Sequence, residues 1–241
     1  MKTDYNPRGY WDRRYREGRT SGAGSEGEEG HYKARYVNDF IRDNAITSVI
    51  DWGCGDGQVL ELLQVGPMHT PYVAYTGIDV SPTILERNRQ RFREFVFATP
   101  DEAQTPDREW TADLALSMDV LFHLPDDADF FAYLNQLFNS ATRFVLIYST
   151  NHAGGRTARH VLRREFTPDV AKHFPEWNLK TVETPLHAGL ASFFVYEKIA
   201  LCWSANRSSG GERTRGSPRP VPTLDTCVTG RRENFPVKPA F

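Results

Sequence analysis

The chain has 241 residues, 39% apolar, with 29 basic against 31 acidic side chains and a net charge of -2, which bounds it to one domain, with or without appendages, and excludes a polyelectrolyte. Three cysteines, Cys54, Cys202 and Cys227, are odd in number and lack CxxC spacing, which argues against a secreted disulfide framework or a structural zinc site and points to a reducing cytosol. The opening MKTDYNPRGYW has no apolar leader and no stretch approaches the ~18 apolar residues of a membrane span, so no membrane partner is expected.

Residues 1–30 are polar, with Tyr10, Trp11 and Tyr15 spaced like one face of a short helix, and end in SGAGSEGEEG. They read either as disordered or as a lid or cap ordered by docking. From 31 a helical stripe runs through Tyr32, Tyr36, Val37, Phe40 and Ile41. Short apolar runs then alternate with helical stretches. The runs are 48–51, 74–79, 94–98, 113–118, 144–149, a weaker 177–184, and 192–199; the helical stretches are 57–64, 82–93, 127–140 and 167–174. Ser81-Pro82 is a helix start, with Ser as N-cap and Pro at the first position. The basic run RHVLRREF at 159–166 reads as a solvated helix face, with an acidic substrate as the alternative use. Pro185 and Gly189 break the link between the last two runs, which predicts an antiparallel hairpin at one sheet edge.

Such alternation requires crossover connections, so the fold class is α/β with a mostly parallel sheet and helices on both faces. Residues 204–241 are Pro-, Gly- and Arg-rich, net +4 against -6 for residues 1–203. They read as a disordered tail or a non-native extension, whose removal is expected to leave ligand affinity unchanged. The acidic body gives no reason to seek nucleic acid.

The main chemical signal is Asp51-Trp-Gly53-Cys-Gly55-Asp-Gly57 between an apolar strand and the expected helix QVLELLQ. Glycines there permit a tight turn and close ligand approach, and a helix start would add free N–H groups. The spacing is GxGxG, and Asp51 would repel a pyrophosphate but attract an ammonium, as at the amino-acid end of S-adenosyl-L-methionine. Asp79 ends the next strand, 22 residues past the last glycine, where a carboxylate can accept both ribose hydroxyls. The bland alternative is a tight turn with a capping Asp. Cys54 reads as a small residue that fits the loop rather than a nucleophile.

With these residues in place, the stretch 31–199 resembles the class I S-adenosylmethionine-dependent methyltransferases through VIDWGCGDG, YTGIDVSP and ADLALSMDVLFHLPDD. YWDRRYREG and TSGAGSEG are similar to a bacterial subgroup of small methyltransferases, which places the N-terminal segment in the working enzyme. The resemblance implies a Rossmann-like sheet of seven strands with one antiparallel edge strand, and a domain over 31–203. It implies that Gly53, Gly55 and Gly57 cradle the methionine part, Asp51 sits near its amino group, Asp79 binds the ribose and Val80 packs on the adenine. Met118 and Tyr15 join the cofactor set, and Asp101 accepts the adenine amino group or is merely a solvated loop acid.

Residues after the fourth strand face the reacting atoms in such folds. His123 is the candidate base, against a capping or packing role, and Asp119 is either a turn acid or a carboxylate near the sulfonium. Tyr148, Ser149 and Asn151 end the fifth strand, where the acceptor pocket begins. Trp11 and its neighbours stack over the cation or anchor a docked helix. The expected partner is a small-molecule acceptor methylated at O or N. No GxSxG, HExxH or His cluster with metal spacing is present, so neither hydrolysis nor a metal is expected. A nicotinamide oxidoreductase and a non-catalytic cofactor-binding module are the competing readings.

Overall fold

A computed structural model describes residues 5–105, 109–185 and 191–199; the tail assigned to 204–241 lies outside the described residues. Two helices open the chain, α1 (Pro7–Arg16) and α2 (Gly27–Asp43). Asn6 caps α1 by accepting from the Gly9 N–H at 3.0 Å, with Pro7 at the first position. The start of α2 lies four residues ahead of its apolar stripe, where Glu28 and Glu29 oppose the positive helix end.

Alternation then proceeds as expected through β1 (Ser48–Trp52), β2 (Ala74–Ile78), α3 (Pro82–Arg91), β3 (Val96–Ala98), β4 (Ala112–Met118), α4 (Asp127–Asn139) and β5 (Ala141–Thr150). Ser81 caps α3 by accepting from the Ile84 N–H. Two expectations fail. The helix over 57–64 is a single 3-10 turn, Leu60–Leu62, because Asn38 of α2 binds the Leu62 carbonyl and the Gln64 N–H and draws the chain out extended. The basic run at 159–166 is not a helix face. It supplies the turn and second strand of a hairpin, β6 (Gly155–Ala158) and β7 (Val161–Arg163), opened by Gly155 at φ 64. After it come α5 (Thr167–His173), β8 (Trp177–Glu183) and β9 (Ala191–Lys198).

The seven-stranded sheet has the order β3-β2-β1-β4-β5-β9-β8. Its first five strands are parallel, and β9 enters antiparallel between β5 and β8. Side chains alternate between the faces. Ile50, Trp52 and Ile147 join α4 and α5 in one core; Val49, Leu114 and Leu146 join α2 in the other. Parallel central strands buried on both faces gather their carboxyl ends at one side, where ligands bind in such sheets.

Trp52 ends β1 with its indole N–H on Ser140 Oγ at 2.8 Å, both residues buried. Ser140→Ala should therefore cost about 1–3 kcal/mol by stranding that donor, read by urea denaturation. A loss under about half a kcal/mol would show that the indole finds another acceptor.

Candidate active site

A cavity of about 360 Å³ opens at the carboxyl ends of β1, β2 and β4. Its inner wall is the glycine loop. The N–H groups of Gly53 and Cys54 both donate to the Ile78 carbonyl, at 2.7 and 3.0 Å, which folds the loop back across β2. Gly53 and Gly55 take φ of 87 and 55, and a side chain at Gly55 would lie 2.3 Å from Ser21 Oγ. Only glycine meets both demands. Gly57, at φ 75, closes the loop against Phe92 and stands outside the cavity lining. Since no α-helix follows, the free N–H groups expected of a helix start are not what the loop offers.

Two buried carboxylates bracket this wall. Asp51 accepts from the Tyr75 hydroxyl at 2.9 Å through Oδ2, while its Oδ1 is buried with no partner among the described residues. Burial raises its pKa to about 7, the Tyr75 bond opposes this, and Asp79 adds to the rise. Asp79 accepts from Gly55 N–H at 3.0 Å and from Ser81 N–H at 2.9 Å. Burial raises it to about 6 against those two bonds. Each oxygen of Asp79 keeps a lone pair for a further donor. Asn88, buried on α3, holds the Gly55 carbonyl at 2.8 Å. The Cys54 thiol is pushed well up by burial and by the charges of Asp79 and Asp51, so it stays protonated and is no nucleophile.

The opposite wall comes from the end of β4. Met118, Asp119 and His123 all line the cavity. Asp119 sits at φ 59, with its N–H on the Tyr148 carbonyl at 2.9 Å. Its carboxylate pairs at 2.5 Å with Lys33 of α2, which is fully buried. Gly24 permits this: a side chain there would meet Asp119 Oδ2 at 2.7 Å. Lys33 escaped the sequence reading although a lysine between Gly30 and Val37, on the buried side of α2, was a visible signal. The ring of His123 lies edge-on to Trp11 at 5.1 Å and stacked on His160 at 5.4 Å. Its Nδ1 is 3.1 Å from the His160 carbonyl. A carbonyl only accepts, so the proton is on Nδ1 and Nε2 is the acceptor. Burial lowers its pKa to about 4, with the charges of His160 and Arg14 adding and the carbonyl bond opposing.

The N-terminal segment completes the enclosure. Trp11, Tyr15 and Val80 line the cavity. Ser21 bonds Asp56 of the glycine loop twice at 2.9 Å, backbone N–H to Oδ2 and hydroxyl to Oδ1. Tyr15 reaches the same hydroxyl at 3.0 Å. Asp12 accepts from the Ser81 hydroxyl at 2.9 Å and ties α1 to the start of α3.

Other sequence candidates stand elsewhere. Asp101 is an exposed acid paired with Arg8 at 3.1 Å, and Pro100 takes the cavity position beside it. Tyr148, Ser149 and Asn151 are outside the lining. Asn151 caps α5, accepting from the Phe166 and Thr167 N–H groups at 2.7 and 3.2 Å. Tyr10 stacks on His160 at 4.8 Å rather than facing the cavity.

A family model described as a methyltransferase domain matches residues 50–143, the span from β1 to β5 that carries these carboxylates and glycines. The sheet and its helices form the Rossmann-like methyltransferase fold, as solved structures show. The N-methyltransferase NodS from Bradyrhizobium japonicum WM9, in complex with S-adenosyl-L-homocysteine, superposes with TM-score 0.60 at 17% identity, over 80% of this chain and 99% of that one. Magnesium protoporphyrin IX methyltransferase (ChlM) from Synechocystis PCC 6803 with bound S-adenosylmethionine gives 0.58 at 15%, over 82% and 100%. The methyltransferase domain of bacterial CtHen1 gives 0.56 at 22%, over 70% and 98%. No curated protein matches the chain. Among the described residues, no helix is long and apolar enough to cross a membrane.

Proposed function

We propose that this chain is an S-adenosyl-L-methionine-dependent methyltransferase that modifies an oxygen or nitrogen of a small-molecule acceptor. One observation carries the reading: Asp51 Oδ1, buried at the cavity wall with no hydrogen-bond partner among the described residues. An orphaned buried carboxylate oxygen is costly, and an ammonium seated there would satisfy it with a charge-assisted bond. Gly53 and Gly55 let such a group approach the backbone, and the free lone pairs of Asp79 suit a pair of ribose hydroxyls. Val80 and Pro100 offer apolar contact for a base. S-adenosylmethionine supplies a methyl group already activated by its sulfonium.

The chain's own task is then to bind, exclude water and orient the nucleophile. Asp119 holds negative charge at the end of β4, fixed by Lys33, on the side of the cavity where His123 stands. With a pKa near 4, His123 is neutral at pH 7 and a weak base. It acts through Nε2 as a hydrogen-bond acceptor that aligns the nucleophile's O–H or N–H and passes the released proton on to solvent rather than storing it. Calorimetric titration tests the reading: S-adenosylmethionine and S-adenosylhomocysteine should bind and NAD should not. Failure of both adenosyl ligands to bind the folded protein would sink it, and binding without turnover on any acceptor would favour a binding module.

A further inference from the structure

The segments that flank the cavity are rich in arginine, whereas its lining is acidic. Inside stand Asp51, Asp79 and Asp119 against Lys33. Outside, residues 7–19 hold five arginines and two acids, and residues 155–164 hold four arginines and no acid, on a body of residues 1–203 that is net -6. These two segments meet at the cavity. His160, at the tip of the β6–β7 hairpin, stacks on both Tyr10 of α1 and His123, and Arg164 donates to the carbonyl of the lining residue Leu124 at 3.0 Å.

Arg14 is the guanidinium set for use there. It lies 5.6 Å from the ring centre of Trp11, and its Nε is held on the Thr20 carbonyl at 2.7 Å. Its Nη2 lies 3.6 Å from where a side chain on Gly22 would begin, and Gly22, like Trp11, lines the cavity. Of the other three arginines of α1, Arg8 and Arg16 are paired with Asp101 and Asp12. Among the described residues Arg14 has no acidic partner. Its charge bears on both nearby imidazoles, pressing His123 and His160 toward the neutral form in addition to burial. A guanidinium fixed through Nε, with its fork open beside an aromatic ring, is preorganised for a carboxylate or phosphate.

Resting on the methyltransferase reading above, we infer that the acceptor is a small planar anion, its ring against Trp11 and Phe122, which both line the cavity, and its carboxylate or phosphate paired with Arg14. Arg14 attracts such an acceptor to the edge of the cavity while the acidic interior keeps it out of the cofactor's place. Neutral analogues forfeit the ion pair and leave Arg14 as it stands.

The test uses the full chain loaded with S-adenosylhomocysteine, and matched probes: para-hydroxybenzoate, para-aminobenzoate and hydroxyphenyl phosphate, each against its neutral amide or methyl ester. Calorimetry should show the anions binding roughly tenfold or more tightly than their neutral partners, as a charged hydrogen-bonded pair implies. Arg14→Gln should collapse that ratio toward one while S-adenosylhomocysteine still binds, and Arg14→Lys should keep part of it. If Arg14→Gln does not fold, the wild-type salt dependence decides, since anion affinity must fall with ionic strength and amide affinity must not. Equal binding of acid and amide, an anion preference that survives Arg14→Gln, or no anion binding to the loaded protein overturns the inference. Failure of S-adenosylhomocysteine itself to bind would strike the methyltransferase reading instead, in a separate arm of the same titration.

Discussion

Asp79→Ala should abolish measurable cofactor binding, lowering affinity by roughly two to three orders of magnitude. The carboxylate has two jobs that fail together. It accepts the Gly55 and Ser81 N–H groups at 3.0 and 2.9 Å, which pins the glycine loop to the end of β2. Its remaining lone pairs are the ribose acceptors in the proposed function. Alanine strands two buried backbone donors, at about 1–3 kcal/mol each, so the variant should also melt earlier. Asp79→Asn separates the jobs. An amide oxygen can still accept one of the backbone bonds, but its NH2 faces the other donor and its charge is gone. The Asn variant should therefore retain more stability than Ala and gain little in binding. Titration calorimetry beside thermal melts reads both quantities. Wild-type affinity in Asp79→Ala would remove this residue from the cofactor site.

Much of this arrangement was legible in the sequence because it is local. The strands declare themselves by apolar runs, and DWGCGDG with Asp79 marks the loop and its carboxylates, since glycine torsions and strand ends depend on neighbours in the chain. What was missed depends on distant partners. The segment 57–64 has a helical apolar pattern, yet Asn38, roughly two dozen positions upstream, captures Leu62 and Gln64 and stops the helix after one turn. RHVLRREF carries no strong strand signal, but His160 at its turn is fixed by His123 and Tyr10. Ser21 and Asp56 are ordinary polar residues in sequence, and only their pairing shows that the N-terminal segment is strapped to the glycine loop. Asn151 looked like an acceptor ligand because it ends β5; it is spent on capping α5. The place of Lys33 on the apolar side of α2 is readable in the sequence, but its partner Asp119 is not, because the two elements lie far apart along the chain.

Cofactor affinity should rise steeply with pH between 5 and 8 and then level off. The sign follows from Asp51 and Asp79, whose values stand at about 7 and about 6 mainly because burial disfavours their charged forms. A cation at the Asp51 oxygen requires that carboxylate ionised, so binding releases a proton wherever the free protein still holds it. From Asp51 alone, affinity at pH 5 should be roughly two orders of magnitude below its plateau. The free protein should show the reverse slope from these groups. A carboxyl whose folded value is raised contributes stability at pH below its unfolded value, and that contribution is lost as pH rises through 6 to 7. His123, lowered to about 4, adds stability that is present above its unfolded value and is lost as pH falls toward 4. Bound and free melting curves should therefore diverge with pH, the ligand restoring what ionising Asp51 and Asp79 removes. Asp51→Asn isolates the cause: it should bind weakly at every pH, with most of the slope gone. Calorimetry in two buffers of different ionisation enthalpy counts the released proton directly. A flat affinity from pH 5 to 8, with no proton released, would mean that no cation meets Asp51, and the cavity would then need a different occupant from the one its orphaned oxygen implies.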